Sequence, residues 1–175
     1  MKLFKNFFLI TFIILFSLNN LKADEKISYL DIEFILANTL AGKSLLENLK
    51  KVEDTKINEF KANDLKFQNN EKKILAKKNI ISNEEIKKEI NALQIEFQKY
   101  KKDKTKEIKI LEKKRNENII NFLNLINPII EKYMTDNSIY ILIDKKNVFI
   151  ANKDYDITKK LIELIDNQIK TVVIK

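Results

Sequence analysis

Apolar residues recur along this chain with periods that change from block to block. Near the N-terminus, Phe7 to Leu18 is an apolar run of 12 residues broken only by Thr11 and Ser17. From Lys26 to Ile32 the period is two: Ile27 and Tyr29 alternate with Ser28, then Leu30 and Ile32 with Asp31. Such alternation predicts a short strand whose two faces are both partly apolar. Near Glu33 the pattern becomes helical, with a bend expected near Ala41-Gly42. Leu45, Leu49, Val52, Phe60, Phe67 and Ile74 follow at spacings of 4, 3, 8, 7 and 7, a coiled-coil seam with gaps. Nothing breaks this helix before Asn79, so at roughly 1.5 Å per residue it extends about 50–60 Å.

Asn79-Ile80-Ile81-Ser82 predicts a turn, and Ser82-Asn83-Glu84-Glu85 has the form of a capping box. In that motif the serine oxygen accepts from an early helical N–H and the glutamate reaches back. A cleaner seam follows, with Ile86, Ile90, Leu93, Phe97 and Tyr100 at spacings of 4, 3, 4 and 3. It continues through Ile108, Leu111, Ile119, Phe122 and Ile126, with Lys104 and Arg115 interrupting it. Two long amphipathic helices joined by a short turn pack antiparallel. Between residues 119 and 134 the apolar residues spread around the helix, so that end is enclosed and the rest projects from it. Pro128 should kink this helix or mark its return into the base.

Beyond Thr135-Asp136-Asn137-Ser138, Ile139 to Ile143 is apolar throughout and reads as a strand buried on both faces. Asp144-Lys145-Lys146-Asn147 reads as a hairpin turn, with Asn147 suited to positive φ, and Val148 to Ala151 as the return strand. Asp156 is placed to cap a final helix with Ile157, Leu161, Leu164, Ile165 and Ile169 on one face. The tail Val172-Val173-Ile174 either adds a strand or stays mobile.

The expected fold is therefore α+β and mostly helical: a small three-stranded base, a closing C-terminal helix, and a long antiparallel helical hairpin projecting from them. The expected divisions are a leader at 1–23, the first strand and helix start at 24–44, the hairpin at 45–120 with its turn near 79–82, and the rest of the base at 121–175. Sheets of two or three strands are marginal alone, and their edges must be paired or covered. Strands from several copies are thus expected to join around one axis. Ile27, Tyr29, Leu142, Val148 and Ile150 are the candidate residues of that interface.

Composition places this architecture. Lys2 and Lys5 precede the apolar run of 12 residues, which is shorter than the roughly 20 residues a membrane-spanning helix needs. It fits the core of a secretory signal peptide. Cleavage is expected between Ala23 and Asp24, although Leu21 is larger than the usual residue there; an uncleaved anchor is the alternative. Export from the cytoplasm is therefore expected. Removal of the leader leaves 30 Lys and Arg against 25 Asp and Glu, a net charge of +5. The excess lies on the hairpin: residues 50–118 sum to +7, 24–49 to −3 and 119–175 to +1. Lys72, Lys73, Lys77 and Lys78 cluster near the tip beside Ile80 and Ile81, with Lys87 and Lys88 across the turn. These are the candidate contact residues for acidic polypeptides or an anionic lipid surface; a solvated helix face is the plainer alternative.

Several chemistries are absent. A phosphate-cradling loop needs more than the single Gly42. Without cysteine or histidine there is no zinc site of Cys/His type and no nucleophile–base pair built on those residues. The carboxylates alternate with lysines on helical faces and read as solvated ion pairs. One arginine and no base-reading motif argue against nucleic acid. No catalytic residue, metal or cofactor is expected.

Two blocks resemble the OmpH/Skp family of periplasmic outer-membrane-protein chaperones. The first runs from Ile27-Ser28-Tyr29-Leu30-Asp31 to Ala41-Gly42-Lys43. The second is Tyr140-Ile141-Leu142-Ile143-Asp144-Lys145-Lys146-Asn147-Val148-Phe149-Ile150-Ala151, followed by Asp154-Tyr155-Asp156-Ile157-Thr158. The resemblance implies a trimer with a barrel-like β centre and three helical tentacles around a cavity. It also implies ATP-independent holding of unfolded outer-membrane proteins before insertion. A lipopolysaccharide site proposed for some members uses several basic residues including arginine; with Arg115 alone available, none is assigned here. The reading that competes is an envelope scaffold or a coiled-coil protein that binds anionic membrane.

Overall fold

The computed structural model describes residues 26–172. The expected leader 1–23, its cleavage point at Ala23 and Asp24, and the tail residues Val173 and Ile174 lie outside the described residues.

Strand β1 (Lys26–Leu30) leads into helix α1 (Ile32–Asn38) and the long helix α2 (Leu40–Ala76). A 3-10 turn at Lys77–Asn79 precedes helix α3 (Asn83–Asp136), which returns the chain to strand β2 (Ile139–Asp144). Two short 3-10 turns, Lys145–Asn147 and Lys153–Tyr155, then lead to helix α4 (Thr158–Gln168). β1 and β2 pair in parallel, with Ile27 opposite Ile141 and Leu30 opposite Asp144, and an irregularity between Lys26 and Ile27. Parallel partners need a long crossover, and here the crossover is the whole hairpin.

The break between the first two helices falls at Thr39, slightly before the expected bend. Thr39 is extended (φ −71°, ψ 152°), and its hydroxyl accepts from the Gly42 N–H. The same hydroxyl donates back to the Ile35 carbonyl at 2.9 Å. The Leu40 N–H donates to the Asp166 carboxylate of α4 at 2.7 Å, so the start of α2 is capped from both ends of the chain. Gly42 is required by space: a Cβ there would stand 2.0 Å from the Leu36 carbonyl oxygen.

At the far turn the capping box forms as expected. Ser82 Oγ accepts from the Glu85 N–H at 3.2 Å and Glu85 Oε2 accepts from the Ser82 N–H at 3.1 Å. α2 has 37 residues and α3 has 54. Pro128 does not end α3, nor does it mark the helix's entry into the base: it lies inside the base, between the buried Ile126 and the buried pair Ile129 and Ile130. The helix ends at Asn137, and Ser138 takes positive φ (55°) to start β2. The core lies at this foot, where Leu45 and Leu49 of α2 meet Phe122 and Ile126 of α3 and Leu161 and Ile165 of α4.

The base differs from expectation in four ways. Its sheet has two strands among the described residues. Residues 148–151 form no strand: Phe149 is fully exposed and Ile150 is 85% exposed, leaving no partner row to pair with. β2 is not buried on both faces, since Tyr140 and Ile141 are both more than half exposed. Residues 145–147 make a 3-10 turn capped by the Asp144 carboxylate, so Asn147 needs no positive φ. Finally, Ile157 rather than Asp156 is the N-cap of α4. Asp156 instead accepts from the Thr158 N–H at 3.0 Å, while Thr158 Oγ1 accepts from the Asp31 N–H at 2.9 Å and the Tyr29 carbonyl accepts from the Ile157 N–H at 3.0 Å. Asp156 and Thr158 thus stitch α4 to the end of β1.

Two substitutions test this account. Replacing a helical glycine by alanine ordinarily stabilises by about 1 kcal/mol; Gly42→Ala is expected to reverse that sign in thermal or urea melts. Phe122→Ala, in the driest part of the core, is expected to cost about 3–5 kcal/mol in urea denaturation.

Candidate functional site along the helical hairpin

The seam between α2 and α3 is sealed at its two ends and open between them. At the foot it is closed by Leu45, Leu49, Phe122 and Ile126, and at the tip by Ile74 and Ile86. Between residues 50 and 73 of α2, and between 87 and 117 of α3, no hydrophobic side chain is buried. The helices are joined there by cross-links rather than by a dry core. Arg115 pairs with Glu53 at 2.8 Å, Lys104 with Asp64 at 2.7 Å, and Lys77 with Glu89 at 2.9 Å.

Lys104 is the centre of the middle cross-link. Its ammonium lies 5.4 Å from the Phe60 ring centroid and 5.6 Å from that of Tyr100, both within cation–π range. The Tyr100 hydroxyl donates to the Phe60 carbonyl at 3.1 Å. Phe67 packs against Phe97 and Tyr100 at centroid distances of 5.2 and 5.1 Å. The hydrogen bond from Lys104, aided by Tyr100, holds the Asp64 carboxyl below the usual range. Asp64 in turn raises Lys104. Desolvation, reinforced by Asp64, raises Tyr100.

The open stretch forms a groove on one side of the seam. Toward the tip it is a cavity of about 650 Å³ whose apolar walls include Phe67, Leu75, Ile90, Leu93, Phe97 and Ile108. Toward the foot it continues as a cavity of about 410 Å³ walled by Ile57, Phe60, Ile108 and Leu111. The two share Asp64, Lys104 and Ile108, so the salt bridge is the threshold between them. On the other side of the seam, the smaller hollow of about 360 Å³ is lined largely by polar residues, among them Asn70, Lys73, Lys77, Glu89 and Glu96. Residues three and four apart share a helix face, which places these two linings on opposite sides of the hairpin.

The sequence-predicted residues fall elsewhere. Lys72, Lys73, Lys78, Lys87 and Lys88 are exposed near the tip, and none has an ion pair among the described residues. Lys77 does have one, with Glu89, and so serves to lock the turn. Ile80 is 81% exposed and Ile81 half-buried. At the base, Ile27, Tyr29, Val148 and Ile150 line one cavity of about 540 Å³ with Ile143 and Tyr155. Tyr29 is already buried within its own chain, whereas Ile27 and Ile150 are exposed. Leu142 packs against the core instead. The groove itself was missed by a search for the seam. Its signal was the apolar residues one step off that seam, such as Ile57 and Leu75.

Among the described residues no group of carboxylates is arranged to hold a metal ion, and no helix is long and apolar enough to cross a membrane. A family model described as outer membrane protein (OmpH-like) matches residues 26–165. The chain belongs to this OmpH-like family. A crystal structure of an OmpH-like protein from Caulobacter crescentus, described as a candidate outer membrane chaperone, superposes with a TM-score of 0.76 at 20% identity, covering 85% of this chain and 88% of that one. That likeness shows the fold. No curated protein matches the sequence.

The charge pair at the centre of this OmpH-like hairpin sets a pH window. Asp64 is lowered, so its contribution is present above the ordinary carboxylate value and lost as pH falls through the folded one. Lys104 is raised, so its contribution is present below the ordinary lysine value and lost as pH rises through the folded one. The cross-link should act between about pH 4 and pH 10.4. Amide exchange in residues 60–104 is expected to be faster in Asp64→Asn than in the parent at pH 7, and the difference should shrink below about pH 4.

Proposed function

We propose that this OmpH-like chain is an ATP-independent holdase of the periplasm: a trimer whose hairpins hold unfolded outer-membrane proteins before insertion. It binds and does not catalyse. The observation that carries this reading is the hairpin's construction, an exposed apolar groove on a lysine-rich arm that is sealed at foot and tip. Unfolded barrel strands expose alternating apolar residues and aggregate through their edges. A groove flanked by charge holds such segments by many weak contacts and leaves them soluble. The arm's net charge of +7 draws acidic clients over a distance that salt shortens. The chaperone description of the Caulobacter crescentus protein supports the same reading, and the basic start and apolar run expected to form a leader support export.

Assembly rests on the base. A two-stranded sheet is marginal alone, and here exposed Tyr140, Ile141, Phe149 and Ile150 surround it. Three copies joining these strands would cover that surface and aim three arms to one side. A second reading, a scaffold that rests on anionic membrane, is favoured by exposed Ile80 among the unpaired tip lysines.

Residues 24–175 are expected to sediment as a trimer and to suppress aggregation of a diluted, denatured outer-membrane barrel. A monomer, or unchanged aggregation, defeats the proposal. Ile150→Glu should give a monomer that keeps its helical circular dichroism. Strong binding to anionic vesicles with no protection of the barrel would favour the scaffold.

A further inference from the structure

We infer that each arm binds its client as a single extended strand lying lengthwise in the groove, so that one arm receives one barrel strand. This rests on the holdase reading and gives it a unit of recognition. Four observations on the groove lead to it.

The first is length. The groove spans Ile57 to Leu75 on α2 and Ile90 to Leu111 on α3, which at the helical rise is about 27–32 Å. An extended chain advances about 3.3 Å per residue, so the groove takes roughly 8–10 residues. A strand that crosses a bilayer as part of a barrel has about 9–11. The second is one-sidedness. The groove is walled on one side of the hairpin and open on the other, so a strand lying in it would set one row of side chains on apolar walls and leave the other row in solvent, and a barrel strand alternates in that way.

The third observation separates a peptide from an acyl chain. Gln68 of α2 and Gln94 of α3 both line the larger cavity, and neither side chain has a hydrogen-bond partner among the described residues. A primary amide donates and accepts together, which matches a peptide backbone and offers nothing to hydrocarbon. The fourth is charge. Within the lining, Lys104 and Arg115 are spent on Asp64 and Glu53. Lys61 and Lys101, which have no ion pair among the described residues although Lys101 stands over the Phe97 ring, are matched by Glu71 and Glu112, which have none there either. The groove is thus close to neutral and suits the apolar row, while the surrounding arm, at +7, complements acidic residues on the outward row and at the strand's ends.

The parent chain has no cysteine, so single cysteines can report position. Gln94→Cys in the groove and Glu96→Cys on the polar side would each carry a photo-crosslinker in the full mature protein. The probes are a ten-residue peptide alternating leucine or valine with serine or glutamate, and a scrambled peptide of the same composition. The alternating peptide is expected to crosslink at least about tenfold more at Gln94→Cys than at Glu96→Cys, and more than the scrambled one. Ile108→Glu, which charges the shared wall without touching a buried residue, should weaken the alternating peptide about tenfold while the circular dichroism holds. Equal labelling of both faces, or equal capture of both peptides, overturns the inference: the groove would then take apolar matter without reading a strand. If the same preparation still protects a denatured barrel, the holdase reading survives that failure. If protection is also lost, the holdase reading falls.

Discussion

The parallel pairing of β1 with β2 is the constraint on which the molecule depends. It joins Leu30 to Asp144 across a loop that contains the whole hairpin, so both roots of the arm are held at one place. The third attachment is α4, through the Tyr29 carbonyl, the Asp31 N–H and the Leu40 N–H. With these roots fixed, α2 and α3 must leave the base side by side. The early turns of α2 and the late turns of α3 share the core around Phe122. Everything farther out is free to be built for contact with other molecules.

That freedom explains the uneven packing of the seam. A hairpin held only at its foot would splay, and one packed dry along its length would have no binding surface. Here Ile74 and Ile86 close the tip, with the capping box and the Lys77–Glu89 pair beside them. Between foot and tip, aromatic stacking and ion pairs replace burial. Such contacts are modest singly and tolerate displacement better than a close-packed core does. The middle of the arm is therefore the part of the hairpin best able to shift without disturbing a close-packed core.

The long-range outline was legible because it rests on strong local signals. Ser82 and Glu85 announce the start of α3, and the 4, 3, 4, 3 spacing from Ile86 to Tyr100 announces its buried edge. The base was less legible because some of its apolar residues join the core of the chain and others stay exposed. Phe149 and Ile150 have the composition of a strand, yet within one chain both stay exposed. Periodicity reports that a side chain prefers cover and does not report which molecule covers it. The same ambiguity hid the groove: Ile57 and Leu75 lie one step off the heptad seam, and only the folded hairpin places them on one side of it. Tyr29 erred the other way, chosen for an outer surface but sealed within its own protomer by the segment around Asp156.

The stitches that tie α4 to the first strand also impose an order of events. Ile157, Thr158 and Asp166 complete hydrogen bonds begun by Tyr29, Asp31 and Leu40, so the earliest residues wait for nearly the last. The hairpin can zip outward from its turn, where Lys77 meets Glu89 only 12 residues on, and the contacts nearest in sequence form fastest. A chain delivered N-terminus first would therefore own a formed arm before it owns a closed foot. Its β1 edge would stay unsatisfied until the final helix arrived, which makes the end of delivery, rather than the making of the arm, the step that commits the molecule to its shape.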